Sequence, residues 1–173
     1  MPGTARLDPA NALSVVRASV TRMSEVSLRA ITADDFPTLF ENQYDPDSAA
    51  MAGVPRREHA DFYEHRAKTE ANPANDTRAI IVDGEMAGDV VSWTDDGGRH
   101  VGYRIAQRFW GRGIATTALR LMLSEITERP LNADLLQINT RSRRVLEKCG
   151  FRLLGPDELP EDAEPECHYF RLD

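Results

Sequence analysis

The sequence contains little cysteine and no long apolar run, and each shortage excludes a class of protein. Its 173 residues include two cysteines, Cys149 and Cys167, too few for a disulfide framework and not at metal-ligand spacing from each other or from the four histidines. No apolar stretch approaches the roughly 20 residues that cross a bilayer, and no N-terminal segment has the form of a secretory signal. We therefore expect a cytoplasmic protein with no bound metal and no membrane partner.

Basic residues are also in deficit. Lysine and arginine total 21 against 28 aspartate and glutamate residues, and the formal net charge is -7. Such a surface repels phosphate backbones, so nucleic acid is not an expected partner. A length of 173 residues with 41% hydrophobic residues suits one domain with its own core.

The first 25 residues lack the pattern of a core element. We expect residues 1–25 to form a flexible extension and residues 26–173 to form the single domain. Met23 stands directly before the first strand pattern, which suggests the hypothesis that translation can begin there. The intact mass of the protein from its native host tests this hypothesis.

The order of apolar patterns predicts a chain that mixes helices and strands. The predicted strands are 26–31, 78–82, 85–94, 100–105, 131–138, 151–154 and 167–172. The predicted helices are 34–51, 56–71, a segment from Ile114 that ends before Pro130, and a segment from Asn139 that Gly150 ends. Short turn sequences join the second, third and fourth strands, which therefore form an antiparallel meander.

A glycine turn between the fourth strand and the following helix is the most informative segment. It comprises Trp110, Gly111, Arg112 and Gly113 and leads directly into the helix pattern. Free N–H groups at a helix start bind anions, and glycine lets a phosphate approach the main chain, so the turn suits a pyrophosphate. The Arg112 or Arg108 side chain would add a charged contact. A purely structural turn is the alternative.

Other phosphate-binding motifs fit this turn less well. A dinucleotide fingerprint requires glycine or alanine where this chain has Thr116, and it follows a parallel strand rather than a meander. The G-x-x-x-x-G-K-[ST] string of a P-loop is absent.

Two motifs in order resemble the GNAT acyltransferase superfamily. The run W-G-R-G-I-A at 110–115 resembles its acyl-CoA pyrophosphate loop, and N-T-R-S-R-R-V-L-E-K-C-G-F at 139–151 resembles its second motif. The resemblance covers about Val26 to Leu172 and is greatest to the branch that includes ribosomal-protein N-terminal acetyltransferases. It implies an α/β fold with a central mixed, mostly antiparallel sheet flanked by helices.

The resemblance also implies the activity and the site. The chain would transfer an acetyl group from acetyl-CoA to a primary amine, such as a peptide N-terminus or a small amine, by direct attack in a ternary complex. A main-chain N–H near Tyr103, Arg104 or Ile105 would polarise the thioester carbonyl, with Tyr103 also lining the acceptor pocket. Ser142 would interact with the departing thiolate. The residues implied to hold the cofactor are Arg104, Ile105, Trp110, Gly111, Arg112, Gly113, Ile114, Ala115, Asn139 and Ser142.

The chain departs from the family pattern at two positions. Leu146 stands where many members have the tyrosine that protonates the thiolate, and Trp110 replaces the usual first residue of the loop. Asn139 also has an ordinary role as a helix cap, and Ser142 an ordinary role as a small packed residue. An acyl-CoA-binding sensor or regulatory module without turnover therefore remains the alternative to an enzyme.

The acceptor side of the reaction is less defined by the sequence. Glu85, Asp95 and His100 lie near strand ends, where solvated turn residues are common, and none is assigned as a general base. The loop 155–166 contains six carboxylates, which suggests a cationic acceptor, against the alternative of an ordinary solvated loop. Arg141, Arg143 and Arg144 form a basic cluster that suits either a CoA phosphate or solvent. Monomer and homodimer are both compatible with the sequence.

Overall fold

The computed structural model describes residues 24–53 and 56–173, so the segment that includes Met23 lies outside the described residues. The strands are β1 (Val26–Ala30), β2 (Asp76–Val82), β3 (Glu85–Asp95), β4 (Gly98–Ile105), β5 (Leu131–Leu136), β6 (Arg152–Leu153) and β7 (Cys167–Leu172). The helices are α1 (Phe36–Asn42), α2 (Pro46–Ala52), α3 (His59–Ala71), α4 (Ile114–Glu125) and α5 (Thr140–Lys148). Short 3-10 turns occupy Ala33–Asp35, Gln107–Phe109 and Pro156–Glu158.

The seven strands form one sheet in the order β1-β2-β3-β4-β5-β7-β6. Every neighbouring pair is antiparallel except β4 and β5, which are parallel. The predicted mixed, mostly antiparallel sheet flanked by helices is thereby confirmed, and so is the meander of β2, β3 and β4.

The parallel pair β4 and β5 is short and then separates. Only Arg99 with Leu131 and His100 with Asn132 are in register, although β4 continues to Ile105 and β5 to Leu136. Beyond these two pairs the facing main-chain groups of the strands lack a partner strand. The middle of the sheet therefore opens into a wedge toward the C-terminal ends of both strands.

Two predicted helices differ clearly from the structure, and a third, predicted at 56–71, begins only at His59. The segment 34–51 is interrupted, because the Asp45 side chain accepts a hydrogen bond from Ser48 N at 2.7 Å and Pro46 starts a new helix, α2. Helix α4 ends at Glu125 rather than just before Pro130. Ile126 adopts an extended backbone there and directs its side chain into the core, where it is 7% exposed.

The main core lies between the sheet and helices α4 and α5. Its most buried members include Ile80, Val90, Leu119, Met122 and Phe170. A smaller hydrophobic cluster of Phe36, Leu39 and Phe62 joins α1 to α3. None of the helices in the described ranges is both long enough and apolar enough to span a membrane.

Candidate active site

A cavity of about 520 Å³ occupies the wedge between β4 and β5. Four segments line it: α2, the end of β4, the glycine turn with the start of α4, and one face of α5. The lining residues are Ser48, Met51, Ala52, Tyr103, Arg104, Ile105, Phe109, Trp110, Gly111, Gly113, Ile114, Ala115, Thr116, Asn139, Arg141, Ser142, Arg144, Val145 and Lys148. The two sequence motifs, about 30 residues apart, thus meet across one cavity.

The glycine turn presents a row of main-chain donors. Gly111 and Gly113 have φ of 75° and 76°, a conformation that favours glycine, and a Cβ at either position would meet open space. The N–H groups of residues 111–116 donate to no acceptor in the part of the chain that the structure describes. The Trp110 N–H, by contrast, donates to Gln107 O at 2.9 Å. The resemblance implied a cofactor-holding loop from Trp110 to Ala115. In the structure the free N–H groups run from Gly111 to Thr116, because the Trp110 N–H already has a partner.

The edge of β4 contributes further main-chain groups. The Arg104 carbonyl faces β3, since a Cβ on Gly88 would lie 1.9 Å from it, and the Ile105 carbonyl accepts a 2.8 Å hydrogen bond from Trp110 Nε1 on the wedge side. Main-chain direction alternates along a strand, so Tyr103 and Ile105 direct their N–H groups into the wedge. Arg104 lines the cavity, but its own main-chain groups point to β3.

Asn139 joins two sides of the cavity. Its Oδ1 accepts a hydrogen bond from Ser142 N at 3.0 Å, which caps α5, and its Nδ2 donates to Met51 O at 2.9 Å. The capping role is therefore present, and the same side chain holds the end of α2 against the start of α5.

Tyr103 and Ser142 both belong to the lining of the cavity. The Tyr103 hydroxyl is buried and has no hydrogen-bond partner of standard geometry among the described residues. Burial raises the pKa of Tyr103 to about 12, and the nearby Ser142 hydroxyl acts in the opposite direction. The structure thus brings together the two side chains that the sequence suggested for catalysis.

Cations line the cavity without carboxylates. Arg104, Arg141, Arg144 and Lys148 belong to its wall, and no aspartate, glutamate or histidine among the described residues does. The Arg141 guanidinium lies 4.6 Å from the centroid of the Trp110 ring. A wall with these positive charges favours the binding of a polyanion.

Other charged residues suggested by the sequence lie elsewhere. Arg108 pairs with Glu85 at 2.6 Å, and Arg112 bonds to Ser24 Oγ at 2.6 Å, so neither guanidinium is directed into the cavity. Arg143 pairs with Glu147 at 2.8 Å.

The general-base candidates and the acidic loop are also outside the cavity wall. Asp95 and His100 bond to each other at 3.0 Å, outside the cavity. The acidic loop borders a separate pocket of about 240 Å³ lined by Pro156, Leu159 and Glu164 among others.

The sequence did not indicate the residues of α2. Ser48, Met51 and Ala52 reach the cavity because α2 packs over β4 and β5, some 50 to 90 residues away along the chain. Lys148 was also missed, although its spacing of four from Arg144 and seven from Arg141 places the three on one helix face.

The comparisons with known proteins agree with this geometry. The profile of the acetyltransferase (GNAT) domain matches residues 25–152. The chain belongs to the GNAT acetyltransferase family, as its two motifs predicted. The family supports acetyl-CoA as the expected co-substrate. No curated protein matches the sequence.

Solved structures share the fold at low sequence identity. A GNAT acetyltransferase from Bacillus anthracis is 20% identical with a TM-score of 0.71, covering 86% of this chain and 95% of its own. RimL, a ribosomal L7/L12 alpha-N-protein acetyltransferase in complex with coenzyme A, is 17% identical with a TM-score of 0.69, covering 85% and 93%. Aminoglycoside acetyltransferase AAC(6')-Ib in complex with coenzyme A is 22% identical with a TM-score of 0.70, covering 86% and 94%. At these identities the likeness establishes the fold alone.

Proposed function

We propose that this chain is an N-acetyltransferase that moves an acetyl group from acetyl-CoA to a primary amine by direct attack in a ternary complex. The observation that carries the proposal is the row of free N–H groups at 111–116, which opens into a cavity walled by cations. A polyanionic cofactor with a pyrophosphate suits both features. The residues present therefore fit acetyl-CoA.

Each part of the cofactor has a counterpart in the wall. The N–H groups of Gly111 to Thr116 would hold the pyrophosphate, and the N–H groups of Tyr103 and Ile105 would bond to the pantetheine and polarise the thioester carbonyl. The Arg144 and Lys148 side chains would meet the remaining phosphate. Asn139 would act mainly by fixing the start of α5 and the end of α2.

The reaction needs positioning more than an ionised side chain. A neutral amine nitrogen forms a bond to the thioester carbon, the C–S bond breaks with its electron pair on sulfur, and the surplus amine proton passes to water. Ser142 faces the cavity and would donate a hydrogen bond to the sulfur. With no carboxylate or histidine in the described wall, water is the proposed proton acceptor.

The described wall holds no carboxylate or histidine that could accept the amine proton, which favours a second candidate, an acyl-CoA-binding sensor that does not turn over. Release of the CoA thiol from acetyl-CoA in the presence of an amine panel separates the two. The panel contains polyamines, peptides with free N-termini and aminoglycosides, with acetyl-CoA alone as the blank. Amine-dependent thiol release supports the enzyme, whereas binding of acetyl-CoA without any release by the panel supports the sensor.

The acceptor class and the oligomeric state stay predictions. A cationic acceptor was suggested by the acidic loop, yet none of its carboxylates lines the cavity, and one of them, Glu164, lines the separate pocket. Neutralising four of those carboxylates tests the idea: we expect a higher acceptor KM and a weaker salt dependence, and unchanged values contradict it. Sedimentation with and without acetyl-CoA distinguishes monomer from homodimer.

A further inference from the structure

The Arg104 side chain points away from the side of the sheet that carries α4 and α5. Its neighbours Tyr103 and Ile105 pack into the main core against these helices, and successive side chains of a strand point to opposite faces. Asp89 stands directly across from Arg104 on β3 and bonds to Arg66 of α3. The Arg104 side chain therefore lies on the face of the sheet that carries α3.

Helix α2 borders the cavity on this same face. Leu135 belongs to the main core, so Leu136 points to the opposite face. There a Cβ on Gly53, at the end of α2, would lie 3.1 Å from the Leu136 side chain. The cavity therefore has a wall on each side of the sheet. The glycine turn and the cations of α5, which would hold the cofactor phosphates, stand on the side opposite to Arg104.

Arg104 has no carboxylate partner in the part of the chain that the structure describes. The Asp89 carboxylate is across the strand pair, but its Oδ2 accepts a 2.9 Å hydrogen bond from Arg66, and Arg104 forms no ion pair with it. The described wall of the cavity contains no aspartate or glutamate either. A half-buried guanidinium normally pairs with an acid. A carboxylate that arrives with a ligand would satisfy Arg104 in the bidentate geometry that arginine favours.

Ser48 adds a second unsatisfied group, on the α2 side of the cavity. It lines the cavity and is 6% exposed, and its hydroxyl has no hydrogen-bond partner among the described residues. A buried hydroxyl without a partner lowers the stability of a fold, and a polar ligand group would remove that cost. Helix α2 packs over β4, the strand of Arg104, so both donors belong to one side of the site.

We propose that the acceptor is a primary amine with a carboxylate close to its reacting nitrogen, such as an amino acid or a peptide with an acidic first residue; this rests on the proposed function. Arg104 binds the carboxylate through two parallel N–H···O hydrogen bonds, and Ser48 is a further donor to it. The amine of the same molecule then lies in the wedge, beside the thioester. The bonds that form and break are those of the proposed reaction.

The positive wall also suits the chemistry of the amine. Direct attack requires the neutral amine, and nearby positive charges lower the pKa of an ammonium group. The carboxylate alone would raise that pKa, but its pairing with Arg104 offsets its charge. A polyamine or an aminoglycoside would bring several ammonium groups against the same wall and would be repelled. The proposal therefore opposes the cationic acceptor that the loop 155–166 suggests.

Pairs of acceptors that differ only in the carboxylate test the proposal. Thiol release from acetyl-CoA is measured with amino acids and their amides, and with peptides that begin with aspartate or asparagine. Polyamines and aminoglycosides complete the panel. For the preferred acceptor, we expect kcat/KM of the acid to exceed that of its amide roughly 10- to 100-fold, the effect of hydrogen bonds to a charged group. Whether amino acids or aspartyl peptides react faster identifies the source of the carboxylate.

Variants assign the preference to named side chains. Arg104→Gln should bring the ratio of acid to amide close to one and leave the affinity for acetyl-CoA in calorimetry unchanged. Arg104→Lys should keep part of the ratio, because the charge remains and the bidentate geometry is lost. Ser48→Ala should lower the ratio several-fold. Arg108→Gln is the matched control, since Arg108 pairs with Glu85 outside the cavity wall, and it should leave the ratio unchanged.

Each contrary result has a distinct meaning. Thiol release that favours amides or polyamines overturns this proposal and leaves the proposed function standing. An unchanged ratio in Arg104→Gln also overturns it, and a loss of acetyl-CoA affinity in that variant would assign Arg104 to the cofactor instead. If Arg104→Gln does not fold, a full ratio in Arg104→Lys overturns the proposal. Binding of acetyl-CoA without release by any acceptor refutes the proposed function and this proposal together.

Discussion

A carboxylate placed in the glycine turn should abolish cofactor binding. Gly113 has φ of 76° with open space where a Cβ would be, so Gly113→Glu is sterically possible. The left-handed backbone should cost about 1–2 kcal/mol for any L side chain. The new carboxylate lies among the free N–H groups of residues 111–116, where it competes for them and repels a pyrophosphate.

The size of the effect follows from ligand linkage. Acetyl-CoA at 100 times its Kd should stabilise the original protein by about 2.7 kcal/mol. For a domain of this size, that raises the Tm by roughly 5–11 °C. In Gly113→Glu we expect a Tm lower by about 2–8 °C from backbone strain and no measurable rise with acetyl-CoA.

The turn between β2 and β3 offers a matched control. Gly84 also has a left-handed backbone, with φ of 87°, and open space for a Cβ, but it lies outside the cavity wall. Gly84→Glu should lose similar stability yet keep the full rise in Tm with acetyl-CoA. NAD and ATP should raise the Tm of neither this variant nor the original protein. If Gly113→Glu keeps the shift that Gly84→Glu shows, the glycine turn is not the pyrophosphate site and the reasoning fails.

Three other predictions concern the cations, acid stability and strand packing. Lys148→Ala should lower the affinity for CoA several-fold in calorimetry but leave the affinity for dephospho-CoA unchanged. Arg143→Ala, which removes a side chain outside the cavity wall, should change neither affinity. Hydrogen bonds from an arginine lower the pKa of Asp35 from 3.8 to about 2, so its stabilisation is present above pH 4 and is lost as the pH falls toward 2. Asp35→Asn should therefore cost about 1–2 kcal/mol at pH 7, after allowance for solvent screening, and flatten the loss of stability between pH 4 and 2 in denaturant titrations. Gly88→Ala should yield little folded protein by circular dichroism, because its Cβ would lie 1.9 Å from the Arg104 carbonyl oxygen; a normal Tm would contradict that packing.

Local sequence patterns predicted most of the elements and the centre of the site. These patterns are strand alternation, the positions of proline and glycine, and the two motifs. Each depends on neighbouring residues only, and most of the predicted strands and helices are present in the structure. The turn at 110–113 and the capping position of Asn139 were recognisable because their chemistry depends on the local backbone.

The missing parts depend on contacts between distant segments. Nothing near Ser48 or Met51 in the sequence indicates that α2 covers β4 and β5. Arg108 and Arg112 have the right type and position for a phosphate contact. In the structure they pair instead with Glu85, at the start of β3, and with Asp83, on the turn before it. The unsatisfied hydroxyl of Tyr103 becomes visible only when the burial of each atom is known.

The early separation of β4 and β5 also bears on aggregation. A sheet normally exposes unpaired main-chain groups at its outer edges, where another chain can add a strand. Here two further edges lie inside the sheet, in a wedge closed at one end by two residue pairs and bordered by α2. An incoming strand needs a spacing of about 4.8 Å from each neighbour and a straight path along them, which a tapering wedge does not offer. The protein can therefore keep main-chain groups available for a slender ligand while denying them to a second polypeptide.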